Sequence, residues 1–193
     1  MGYFDDTKRI LSNALDSIDG DQMDQLVEHC SRTLDQGKKI IVSGLGKNVP
    51  ICEKFVGTMI SLGMEAYYLN TNSAVHGDMG IAQDGDLVII LTKSGETAES
   101  IYLVDKLSGR KLDMWLITFS EKSTLTDKIE NSLVIRLEHE GDMWDMVPNN
   151  STTLNLIVLQ TVAMRLAEKR NISLAEFKQN HPGGNIGKVL STR

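Results

Sequence analysis

The segment Leu91-Thr92-Lys93-Ser94-Gly95-Glu96-Thr97 gathers three hydroxyls and a lysine around one glycine. Hydroxyls and unpaired backbone amides donate hydrogen bonds to an anion, and a glycine lets the main chain approach it closely. A helix cap would need only one of these hydroxyls. The spacing therefore predicts an anion site built from Thr92, Lys93, Ser94, Gly95 and Thr97. A second turn, Gly44-Leu45-Gly46-Lys47-Asn48, also suits an anion. It is not a P-loop, because Ile41 and Asn48 stand where that motif needs glycine and Ser or Thr. It is not a dinucleotide fingerprint, because Val49 replaces the third glycine and Asn70 and Asn72, not an acid, close the next strand. Gly44 and Gly46 alone could make a tight turn. Lys47 argues for more, since it precedes a helix N-terminus that repels cations. An anionic ligand, or Glu96 on the neighbouring loop, would account for it.

Acid–base groups lie in three further places. His76 sits in the polar, glycine-punctuated loop 70–80, and His181 opens the tail His181-Pro182-Gly183-Gly184. Glu140 lies in the loop 138–150, most of whose charge reads as solvated surface. His139-Glu140 does not extend to the zinc-binding HExxH motif, since Met143 occupies the second histidine position. No metal site is expected.

Positioning these residues requires alternating strands and helices. Short apolar runs predict strands over 39–43, 64–69, 86–91, 111–118 and 133–137, with Trp115 in the core. Helical spacing predicts 6–18, 21–36, 49–62, 98–107, 123–130, 151–170 and 173–180, with Asp21 capping the second helix, Gly37 stopping it and Ser151 capping the long one. This alternation predicts an α/β fold: a doubly wound, flavodoxin-like, five-stranded parallel sheet of order 2-1-3-4-5 with helices on both faces. The strand-to-helix turns then fall at the carboxyl edge, where such sheets bind ligands. With no repeat or linker, residues 1–193 read as one domain, leading helices 6–36 and an α/β core over 38–190.

The 193 residues are 41% hydrophobic and 24% charged, with a net charge of −6. That balance fits an ordinary soluble protein and disfavours a nucleic-acid partner, which would call for a basic face. The acidic start and the absence of a long apolar run predict no secretory signal and no membrane partner. Cys30 and Cys52 form no CxxC motif and read as buried free thiols, so a cytoplasmic location is expected.

Taken together, Gly44-Leu45-Gly46-Lys47, His76-Gly77-Asp78, Ser94-Gly95-Glu96-Thr97, Glu140 ahead of Pro148-Asn149-Asn150-Ser151-Thr152-Thr153, and His181-Pro182-Gly183-Gly184 occur in one order. The set, spanning about residues 6–190, resembles the arabinose-5-phosphate isomerase family of SIS (sugar isomerase) domains. The resemblance implies an aldose–ketose isomerase acting through an enediol, a sugar phosphate as ligand, no organic cofactor, and a homodimer or homotetramer. It also implies an active site of Lys47, His76, Glu96, Glu140 and His181. Gly46, Asn48, the 92–97 loop and Ser151 would hold the substrate and its phosphate. Glu140 would be the base, raised in pKa by desolvation, with Glu96 orienting Lys47. The chain departs from the family pattern at Lys93, usually uncharged and polar, at Asn48, usually serine, and at Asn70, where a histidine linked with metal would fall. Many members continue into paired CBS domains, whereas this sequence ends at Arg193. A non-catalytic phosphosugar sensor, or an isomerase of a hexulose or aminosugar phosphate, remains the alternative.

Overall fold

A computed structural model describes residues 2–192; Met1 and Arg193, the ends of the expected 1–193 domain, lie outside the described residues. Five strands form one all-parallel sheet of order β2-β1-β3-β4-β5. They are β1 (Ile40–Gly44), β2 (Ala66–Tyr68), β3 (Leu87–Leu91), β4 (Asp113–Thr118) and β5 (Asn131–Val134). The order and direction are those expected from the alternation of elements. β5 begins two residues earlier than the apolar pattern suggested. Asn131 and Ser132 pair with Trp115 and Leu116 through the main chain, which carries no signal in their polar side chains.

The helices are α1 (Tyr3–Asp16), α2 (Gly20–Asp35), α3 (Asn48–Ser61), α4 (Ala98–Leu107), α5 (Thr124–Lys128), α6 (Asn150–Lys169), α7 (Leu174–Gln179) and α8 (Gly184–Ser191). One core joins α1, α2, α3 and α6 to the strand residues Ile40, Val42, Ile89 and Ile117. A second, on the opposite face, joins α4 and α5 to Ile41, Val88, Ile90 and Leu116. Successive strand residues thus point into different cores, and β3 is buried along its length because both faces are covered. Trp115 is in the core as expected, and its indole N–H donates to His29 Nδ1 at 2.8 Å. Cys30 and Cys52 are free and buried; burial pushes both thiols up, Cys52 to about 12.

Two caps differ from the sequence reading. Asp19, not Asp21, caps α2, accepting from the Asp21 and Gln22 amides at 2.8 and 3.2 Å. Asp19 keeps extended backbone while Gly20 is already helical, so Asp21 falls inside the first turn, where its charge suits the helix dipole. Ser151 is likewise the second residue of α6 rather than its cap, which is Asn149. The loop after β2 folds into two short 3-10 turns, Ala74–His76 and Asp78–Ile81. The glycine-rich tail forms α8, which its composition did not suggest.

Candidate functional site

At the carboxyl ends of β1 and β3 the connections depart to opposite faces of the sheet, and a cavity of about 160 Å³ opens there. Lys47, Asn48, Thr92, Lys93, Thr97 and Ser151 line it. The first residues of α3 and α6 and the cap residue of α4 are among these, so three helix N-termini face one space. Such termini carry a partial positive charge, but the Asn48 and Val49 amides of α3 donate to the Leu45 and Gly46 carbonyls and the Ser151 amide of α6 donates to Glu140, which leaves the amides of α4 as the free ones.

Each loop is held in shape by its own polar groups. Gly95 has φ +70°, in the left-handed region, and a Cβ there would overlap Ser123 Oγ and lie 2.5 Å from Ser123 Cβ. The Gly95 amide donates to Thr92 Oγ1 at 3.3 Å, and the Glu96 amide donates to Ser94 Oγ at 3.1 Å. Lys93's carbonyl accepts from Thr118 Oγ1 and the Phe119 amide, which ties the loop to β4. Thr97 is the cap residue of α4, yet its hydroxyl makes no cap bond and instead meets Thr92 Oγ1 at 3.1 Å. The simple capping explanation for this hydroxyl therefore fails, and the α4 amides stay available.

Glu96 does not orient Lys47. Its carboxylate accepts from the Thr124 amide at 2.6 Å and the Thr124 hydroxyl at 2.8 Å. The Thr124 amide first, then its hydroxyl, hold Glu96 below the usual carboxylate range. Among the described residues Lys47 forms no ion pair, so an exposed cation faces the cavity with no protein partner.

Glu140 is fully buried. Its Oε2 accepts from the amides of Asn149 and Ser151 at 3.0 and 2.9 Å, so this carboxylate, from an upstream loop, supplies the α6 cap assigned above to Ser151. Its Oε1 meets Lys93 Nζ at 2.8 Å in an ion pair, with no donor aligned as a hydrogen bond. Burial pushes Glu140 up, but Lys93, the Ser151 hydroxyl and the two amides more than offset it and hold the group below its ordinary value. The expected upward shift is thus reversed: desolvation operates, but a cation and a helix N-terminus outweigh it. Lys93 covers the carboxylate and also borders a second cavity of about 280 Å³, which Ser94, Ser120 and His139 line.

Not every expected residue meets at this point. His76 is exposed on the first 3-10 turn and lines neither cavity. His181 stacks on Phe177, and its neighbour Asn180 donates to the Ser61 carbonyl at the C-terminal end of α3, the end away from the cavity. Asn155, which sequence reasoning missed, lines the cavity one helical turn beyond Ser151. Its signal is an amide within the apolar run Leu154 to Leu159. Among the described residues no group of three or more His, Cys, Asp or Glu side chains could hold a metal ion, and no helix is long and apolar enough to cross a membrane.

A model of the SIS domain matches residues 33–165. The arabinose 5-phosphate isomerase KpsF of Escherichia coli is 30% identical over 183 residues, 95% of this chain and 56% of that protein. The arabinose 5-phosphate isomerase KdsD of Pseudomonas aeruginosa is 29% identical over 178 residues, 92% of this chain and 55% of that protein. The chain thus spans about half the length of the curated relatives it matches. Among solved structures, an E. coli CFT073 protein in complex with arabinose 5-phosphate superposes with a TM-score of 0.85 at 28% identity, covering 93% of this chain and 94% of that one.

Proposed function

The chain belongs to the SIS domain family, and from that premise we propose that it interconverts an aldose phosphate and its ketose, arabinose 5-phosphate and ribulose 5-phosphate being the favoured pair. The observation that carries this reading is a donor-lined cavity at the β1–β3 edge with the Glu140 carboxylate directly behind it. The phosphate fits the hydroxyls and amides of the 92–97 loop. Lys47 would stabilise an enediolate oxygen, and Glu140 would move the carbon-bound proton once Lys93 has moved off it. His76 would hold a sugar hydroxyl and His181 would open the ring. The relatives named for arabinose 5-phosphate and the solved neighbour that holds this sugar phosphate support the pentose assignment. A panel of sugar phosphates followed by ¹H NMR in deuterated buffer tests it: turnover of arabinose 5-phosphate is expected. Binding without turnover of any member would favour the sensor alternative.

The double variant Ser94→Ala, Thr97→Val is expected to weaken sugar-phosphate binding by about 1–3 kcal/mol with the fold intact. Calorimetry reads this directly, and unchanged affinity would remove the loop from the phosphate site.

His181 lies away from the cavity of its own chain, so its part in the reaction requires a homo-oligomer in which the tail reaches a neighbour's site. Mixing His181→Ala with Glu140→Gln protein, each inactive alone, should restore activity when subunits exchange. Exchange shown by mass labelling but without activity would place His181 outside a shared site.

A further inference from the structure

Most of the polar character facing the cavity is that of donors: Lys47, one hydroxyl of the mutually bonded Thr92–Thr97 pair, and the amides at the start of α4. These suit a phosphate and nothing else in particular. Asn155 is the exception. It is 1% exposed and lines the same cavity. Its Nδ2 donates to Asn48 Oδ1 at 2.9 Å, which fixes the amide plane and turns the other end away from Asn48. That end, Oδ1, is buried and has no partner. A buried acceptor without a donor is costly, so a ligand that supplies one gains affinity. A phosphate dianion has no proton to give and would repel this oxygen. A neutral hydroxyl close to the phosphate would satisfy it.

We propose that Asn155 is a specificity residue: its Oδ1 accepts a hydrogen bond from a sugar hydroxyl, with Asn48 as the residue that aims it. The inference rests on the sugar-phosphate reading above and adds a distinction within the cavity, between a part that holds any phosphate and a point that reads the sugar. A ligand without a hydroxyl at that point leaves the buried oxygen unpaired and loses more than the hydrogen bond alone, so selection against such ligands is built in.

The test compares inorganic phosphate and arabinose 5-phosphate as calorimetric ligands of the whole chain. In Asn155→Leu, close in size to asparagine, the affinity for arabinose 5-phosphate should fall about tenfold while that for inorganic phosphate stays the same. Retained phosphate binding is also the control for folding. Asn155→Asp keeps an acceptor but adds a negative charge, so it should lose affinity for both ligands while preserving the ratio between them. Arabinose 5-phosphate binding unchanged in Asn155→Leu, or both ligands weakened equally there, overturns the assignment; the second result would mean that the free end of the amide is a donor facing the phosphate. If the wild-type protein binds arabinose 5-phosphate no better than phosphate, the sugar reading itself fails and the assignment falls with it.

Discussion

Glu140→Gln is expected to retain sugar-phosphate binding and to lose about 10²–10⁴ in turnover, the usual cost of removing a general base. Glutamine can still accept from the Asn149 and Ser151 amides, so the cap of α6 survives. It cannot take a proton, and wild-type protein should therefore wash solvent deuterium into the sugar's C2 position while the variant does not. C2 exchange at the wild-type rate in Glu140→Gln would show that Glu140 is not the base and would move attention to His76 and His181. The same variant separates catalysis from stability. Because Glu140 is held below its ordinary pKa in the folded protein, its contribution to stability is present above the unfolded value of about 4.3 and is lost as pH falls through the lower folded value. Thermal melts on the acid side should then show a shallower decline for Glu140→Gln than for wild type, alongside a lower starting point from the lost Lys93 pair.

Gly95→Ala should be the most damaging single-atom change in the chain. The left-handed backbone at this position costs an alanine about 1–2 kcal/mol, and forcing the new methyl into packed surroundings adds about 1–3 kcal/mol. Ser123 cannot simply move aside. It is 7% exposed, and its Oγ caps α5 by accepting from the Thr126 amide at 3.2 Å. The expected result is a fall in melting temperature of roughly 5–15 °C together with lost phosphate affinity. Gly46→Ala makes the comparison: Gly46 has φ +61° but open space around its Cβ position, so only the backbone cost applies. Equal melting temperatures for the two variants would refute the steric argument at Gly95.

The sheet order, the strand-to-helix turns and the residues on them were legible because each depends on local pattern: alternating elements, apolar runs and glycine placement. What escaped depends on chain segments meeting from afar. Glu96 finds Thr124, 28 residues on, and Lys93 finds Glu140 across two strands. No spacing rule reports either, and both change the chemistry, since the first removes a partner from Lys47 and the second reverses the pKa shift of Glu140. The cap of α6 escaped for the same reason. Ser151 is the best local candidate, but a carboxylate arriving from residue 140 outcompetes a hydroxyl for the same amides. His76 and His181 were found through a motif set rather than through geometry, and within a single chain neither lines the cavity.

The helix ends at the cavity have one more effect, although the Glu140 carboxylate already answers that of α6. Their positive character comes from aligned peptide groups, which carry no titratable proton. This part of the electrostatic attraction cannot be switched off by acid or base, and it decays within the first turn of each helix. In a chain of net charge −6, the proposed phosphate ligand would be drawn in only over the last few ångströms. The main chain would then favour the dianion at every pH, and the ligand's own second ionisation, near pH ~6, would govern how much dianion there is to capture.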